Sequence, residues 1–220
     1  MKLVKQGYKF ESIIDGIEII KSIEKIGRVC YKSENKITED STKKFIKRII
    51  KYGHESVLEH RGFSVRFICD RSISHQIVRS RIASHSQESQ RYVSYKDEIE
   101  FIIPNWCKNV KIGNYEGSTI DHIDIPISEL TWIRAMKEAE INYNFLLHLG
   151  CSPQESRTVL PNSTKTELVM TANLREWRHF FKLRTGKGAH PHIIELINPL
   201  LKDINDLIPF VFEDIVRNPV

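Results

Sequence analysis

The sequence predicts an α+β fold built as one domain over residues 1–220. Three observations lead there. Apolar residues recur at three- and four-residue steps through several long segments, the mark of amphipathic helices. Only the segments 62–69, 98–103 and 164–171 read as strands, too few and too irregularly spaced for a doubly wound parallel sheet. The chain of 220 residues, with 40% hydrophobic, 9% aromatic and 28% charged residues, can bury one large core, and this composition excludes a disordered or collagen-like chain.

Each element has its own signal. Ile13, Ile17, Ile20, Ile23, Ile26 and Cys30 share one face of a first long helix. Asp40 and Ser41 can cap a second, which carries Phe45, Ile49 and Ile50 and stops at Gly53. Its other face bears Lys43, Lys44, Lys47, Arg48 and Lys51, a solvated or anion-facing surface. Phe63, Val65, Phe67 and Cys69 alternate with Ser64, Arg66 and Ile68 in a strand. A helix capped by Ser72 or Ser74 follows through Ile73, Ile77 and Val78, and the polar run Ser84 to Gln90, which has no period, predicts a loop. Glu98 to Ile103 reads as a strand ended by Pro104, and Lys108 to Pro126 as a long surface loop. Ser128 and Glu129 open a long helix through Leu130, Ile133, Met136, Tyr143 and Leu147, closed by Gly150, and Pro153 starts a short one. Thr164 to Thr171 suits a strand. Leu174, Trp177, Phe180 and Phe181 then give helical spacing up to Leu183, with the aromatic trio expected in the core, and a last helix starts near His190.

Lys and Arg number 33 against 28 acids, a net charge of +5 that suits anionic ligands without requiring nucleic acid. The longest stretch free of acids, Lys and Arg, Ile141 to Gln154, contains Asn142, Asn144 and Gln154 and falls short of the ~20 apolar residues of a membrane span. Met1 to Gln6 lacks the apolar segment of a secretory signal, which predicts a cytoplasmic, reducing location. Cys30, Cys69, Cys107 and Cys151 form no C-x-x-C pair and are expected as buried or half-buried thiols. His190-x-His192 and the His54/His60 pair lack matching Cys or carboxylate partners, so no metal is expected. Gly186-Lys187-Gly188 does not continue as a dinucleotide fingerprint, and neither a P-loop nor a nucleophile elbow occurs.

The segment His75 to Tyr92 stands apart because it packs Gln76, Arg79, Arg81, Ser84, Ser86, Gln87, Ser89, Gln90 and Arg91 together. Arginines two apart can hold different anions, and backbone N–H groups with serine hydroxyls can cradle phosphate. Arg79-Ser80-Arg81, seven residues and then Ser89 resembles the R-H-R, seven residues, Ser signature of the flavin-dependent thymidylate synthases. The resemblance continues through Gln90-Arg91-Tyr92, and upstream His54-Glu55-Ser56-Val57-Leu58-Glu59-His60 is similar to the family's H-E-[ST]-x-x-E-H element. Arg157 to Pro161 and Asn173 to Arg184 resemble its later blocks, so the likeness runs over roughly residues 50 to 200.

That resemblance implies the family's fold, a central, mostly antiparallel sheet flanked by helices. It implies reductive methylation of dUMP to dTMP, with methylenetetrahydrofolate as carbon donor, FAD as cofactor and NADPH as reductant. Carried over by position, the expected FAD contacts are Ser56, Arg79, Ser80, Arg81, Gln87, Asn173, Arg175 and His179. The expected dUMP contacts are Gln76, Ile77, Val78, Arg79, Gln87, Glu88, Ser89, Gln90, Arg91, Arg157 and Arg184, with Arg184 as the catalytic activator of the uracil ring. A homotetramer with shared active sites is implied too. Ser80 replaces the central histidine, and Gln87 stands where some members carry glutamate. A flavin- and nucleotide-binding homologue with impaired catalysis, or a basic nucleic-acid-binding protein using the Lys43 to Lys51 face and the arginine-rich segment after His75, remain the alternatives.

Overall fold

A computed structural model describes residues 1–96, 98–116, 120 and 124–217. Among them the strands are β1 (Lys2–Val4), β2 (Gly7–Phe10), β3 (Gly62–Asp70), β4 (Ala83–Gln87), β5 (Glu100–Ile102), β6 (Gly113–Asn114) and β7 (Lys165–Asn173). The helices are α1 (Gly16–Arg28), α2 (Ser41–Lys51), α3 (Arg71–Ile77), α4 (Ile127–His148), α5 (Pro153–Ser156), α6 (Leu174–Thr185), α7 (Pro191–Leu207) and α8 (Glu213–Arg217). Short 3-10 segments include Glu55–His60 and Arg157–Val159. One sheet has the order β5-β1-β6 and the other β2-β3-β7-β4, so the fold is α+β, as expected.

The chain divides into two compact units. The first comprises Met1–Gly7, Arg66–Arg79 and His85–Val169. Here β1 runs parallel to β5 and antiparallel to β6, with Leu3 opposite both Phe101 and Gly113. Helix α4 buries Leu130, Ile133, Met136, Ala139 and Tyr143 in a cluster with Leu3, Ile99 and Phe101. These positions recur at three- and four-residue steps, which is why the helix was legible. Its two buried carboxylates are satisfied: Glu129 accepts from the Lys108 and Asn109 backbone, and Glu140 from the Ile99 N–H and Lys137.

The second unit comprises Tyr8–Val65, Ser80–Ser84 and Met170–Val220. Trp177, Phe180, Phe181 and Phe212 are fully buried, with Trp177 stacked on Phe63 at 4.7 Å and edge-on to Phe180 at 5.5 Å. The aromatic trio of α6 is therefore core. Strands β3 and β7 run through both units. Gly62 lies against Ala172 and Ser64 Oγ meets Thr171 Oγ1 in this unit, while Arg66 pairs with Glu167 in the other, so the two strands are antiparallel.

Several details differ from the sequence expectations. Helix α1 buries Gly16, Ile19, Ile20, Ile23, Glu24 and Gly27, whereas Ile13 is 99% exposed and Ile17 is exposed as well. Glycines decide this face. A Cβ on Gly16 would sit 1.7 Å from the Leu207 carbonyl and one on Gly27 2.5 Å from the Phe45 ring, approaches that a count of apolar residues does not register. Buried Glu24 joins α1 to α2 by accepting from Arg28 and from Thr42 Oγ1. The polar run 84–90 is not a loop throughout, because Ala83–Gln87 is strand β4 with alternating exposure. Asp70, not Ser72 or Ser74, caps α3, accepting from the Ile73 N–H at 2.7 Å. Strands β1, β2 and β6 and helix α8 gave no recognised signal. Strand β6 falls inside the expected 108–126 loop, of which 117–119 and 121–123 lie outside the described residues. Cys69 and Cys107 are buried and Cys151 half-buried, but Cys30 is exposed.

Candidate active site

In the first unit, α3 brings Gln76 and Ile77 to its C-terminal end, with Val78 as C-cap and Arg79 directly after. Ile77 is buried, Gln76 half-buried, and Val78 and Arg79 exposed. Strand β4 carries His85 and Gln87, and Glu88 to Arg91 follow it. The His85 ring bonds the Ile77 backbone, while burial holds its pKa below the ordinary histidine value, so it is neutral at pH 7. Gln87 Nε2 donates to Ser74 Oγ at 2.9 Å and to Thr166 Oγ1 at 3.3 Å. Glu88 donates its backbone N–H to the Glu167 carbonyl and accepts from Tyr95 Oη at 2.7 Å. Burial first, and then Glu88, pushes the Tyr95 phenol up, so it remains a proton donor.

Arg91 lies over the Tyr92 ring, and its Nε donates to Gln154 Oε1 at 2.7 Å. Gln154 and Arg157 are placed by α5, whose Ser152 and Glu155 form a capping box with Pro153 at the first turn. Arg157 is half-buried in the following 3-10 turn. Among the described residues, Arg79 and Arg157 enter no ion pair, so both cations are available to an anion.

The second unit holds most of the expected flavin set. Ser56 is exposed on the 3-10 segment Glu55–His60. Asn173 caps α6, its Oδ1 accepting from the Glu176 N–H at 2.9 Å, which leaves its amide donors for another partner. Arg175 and His179, four apart, share the exposed side of α6. Arg175 pairs with Glu59 at 2.5 Å, bringing the helix that carries Ser56 against α6. Arg81 is exposed and makes no ion pair among the described residues, whereas Ser80 is only 5% exposed. Arg184 is half-buried in the last turn of α6, where a cation complements the helix dipole. Thus the expected dUMP set lies in the first unit except for Arg184, and the expected FAD set in the second except for Arg79 and Gln87.

The donor set suits FAD: an uncommitted arginine, a serine hydroxyl, an amide and an imidazole can serve a pyrophosphate and a polar ring edge. No group of three or more metal-ligating side chains occurs among the described residues, nor any helix long and apolar enough to cross a membrane. Burial pushes the Cys107 thiol up to about 12 and raises Cys69 too, so neither is a thiolate at neutral pH. Sequence reasoning missed Ser74, Thr166 and Tyr95, which hold Gln87 and Glu88. It also missed that Glu55 and Glu59 brace α6 through Arg178 and Arg175. The signal for the braces was present, since acids four apart in one segment face arginines three apart on a helix.

The profile of a family described as thymidylate synthase complementing protein matches residues 13–210. The flavin-dependent thymidylate synthase of Pyrococcus abyssi is 38% identical over 78% of this chain and 66% of its own length. That of Mycobacterium tuberculosis H37Rv is 34% identical over 87% of this chain and 78% of its own. The chain thus spans just under two thirds of the first relative and more of the second. Among solved structures, a UMP/dUMP methylase, PolB, from Streptomyces cacaoi bound with 5-Br dUMP superposes with a TM-score of 0.77 at 22% identity, covering 100% of this chain and 98% of that one, a likeness of fold. With the family profile matched over residues 13–210 and relatives 34–38% identical over most of the chain, it belongs to the flavin-dependent thymidylate synthase family.

Proposed function

We propose that the chain works as a single catalytic domain that methylates dUMP to dTMP with FAD as cofactor. The carbon comes from methylenetetrahydrofolate and two electrons from NADPH. The C5 proton of uracil leaves, the methylene carbon takes its place, and a hydride completes the methyl group. FAD, when bound, supplies the redox relay between NADPH and the pyrimidine. The carrying observation is that Arg79 and Arg157 in the first unit and Arg81 in the second remain without ion pairs among the described residues. Three arginines of one sign would be a costly surface without anions to meet, and dUMP and the FAD pyrophosphate are such anions.

In this reading Gln76 to Arg79, Gln87 to Arg91 and Arg157 bind the nucleotide. Ser56, Arg79 to Arg81, Gln87, Asn173, Arg175 and His179 hold FAD. Arg184 stabilises negative charge that develops on the uracil ring. The protein acts in the cytoplasm as a homotetramer whose sites draw on neighbouring chains. The test is spectroscopic and kinetic. Protein incubated with FAD and desalted is expected to keep a flavin absorbance band and to oxidise NADPH faster when dUMP is added. A colourless protein would return the Lys43 to Lys51 face and a nucleic-acid role to first place. A coloured protein that forms no dTMP would be the binding homologue, a reading to which the buried Ser80 lends weight.

A further inference from the structure

We propose that Ser74 is a positioning residue that fixes the polarity of the Gln87 amide, so that the pyrimidine site selects a uracil ring over a cytosine ring. A serine hydroxyl has one proton to give. Ser74 Oγ gives it to the Arg71 carbonyl at 2.9 Å, so towards Gln87 it can only accept. The amide edge facing Ser74 is therefore the NH2, and Thr166 Oγ1 lies 3.3 Å from the same nitrogen. Ser74 and Thr166 are both 0% exposed, so water does not replace either partner. The Gln87 carbonyl oxygen is left facing away and accepts no hydrogen bond from the described residues.

Uracil carries a donor at N3, whereas cytosine at neutral pH carries a lone pair there. A freely rotating glutamine would serve either ring by turning its amide over. One held by two buried hydroxyls offers only an acceptor, and turning it would set its carbonyl oxygen against the Ser74 lone pairs. The discrimination such a lost bond supports is about 10- to 100-fold. This inference rests on the reading above that Gln87 meets the pyrimidine.

The test measures dissociation constants of dUMP and dCMP with FAD-loaded protein, together with melting temperature, for wild type, Ser74→Ala and Gln87→Met. Wild type is expected to prefer dUMP. Ser74→Ala should lower the dUMP to dCMP preference by about 10-fold or more with the fold retained, and Gln87→Met should lower it as well. A Ser74→Ala protein that keeps the full preference, while Gln87→Met loses it, overturns the positioning role and leaves Gln87 at the pyrimidine. Preference kept in Gln87→Met, or absent in wild type, removes Gln87 from the pyrimidine and the proposal with it. Should Ser74→Ala not fold, Thr166→Val carries the same expectation, since it removes the other acceptor without changing shape.

Discussion

Arg184→Ala is expected to lower single-turnover dTMP formation by about 100- to 1,000-fold, the usual loss when one preorganised electrostatic stabiliser is removed. The guanidinium sits in the last turn of α6, beyond the aromatic cluster that holds the helix in the core, and it is half-buried. Removing it takes away a permanent cation without opening a cavity among Trp177, Phe180 and Phe181. Melting temperature and FAD binding should stay close to wild type. Lysine at 184 should recover little, because an ammonium is a point charge on a flexible stem and a guanidinium presents a planar, delocalised cation with fixed donors. Rapid-quench measurement of dTMP together with a melting curve separates the outcomes. Near wild-type turnover in the alanine variant would remove Arg184 from the chemistry, and a protein that melts much earlier would make it a helix-end brace.

Arg178→Met should cost stability instead, about 3 kcal/mol, at the lower end for breaking a buried pair because Asp214 is partly solvated. Arg178 is 1% exposed and grips Asp214 with two bonds of 2.7 Å, Glu55 at 3.1 Å and the Val211 carbonyl. It thereby ties the 3-10 segment Glu55–His60, α6 and α8 together within one unit. Methionine fills much of the volume but leaves two carboxylates without their cation. For a chain of this length that corresponds to a fall of roughly 6–12 °C in melting temperature. Burial would raise the Asp214 carboxyl, but hydrogen bonds and charge from Arg178 outweigh it and hold the pKa below the ordinary carboxylate range. The linkage then has a definite sign. The contribution is complete above the unfolded aspartate value of about 3.9 and is lost as pH falls through the lower folded value. The gap between wild type and variant should narrow only below about pH 4. A gap that is constant across that range would show that Asp214 does not carry the effect.

The elements legible in the sequence were those whose burial follows a simple period. Phe63, Val65, Phe67 and Cys69 alternate because β3 buries one face, and α4 keeps its three- and four-residue steps. The failures have one physical source, that a partner other than an apolar side chain decides the conformation. Helix α1 turns by a fraction of a revolution because Gly16 and Gly27 allow backbone and ring to approach, leaving Ile17 in solvent, while Ile13 lies before its first turn. Strand β4 alternates, but between polar residues, so hydropathy carried no signal; its pairing is marked instead by Gln87 reaching Thr166 and the Glu88 N–H reaching Glu167. The candidate site divides the same way. Its arginines and amides were legible as residue types with motif spacing. Ser74, Thr166, Glu55 and Glu59 were not, since what they do depends on partners from 13 to more than 100 positions away.

The central claim is that this chain moves a one-carbon unit onto dUMP with flavin as redox relay. Its most direct measurement supplies FAD-loaded protein with dUMP, NADPH and methylenetetrahydrofolate labelled at the methylene carbon, and follows the label. The account predicts labelled dTMP in proportion to NADPH oxidised, and none when FAD or dUMP is omitted. Oxidation of NADPH with no label in dTMP, from protein that binds both FAD and dUMP, would contradict it.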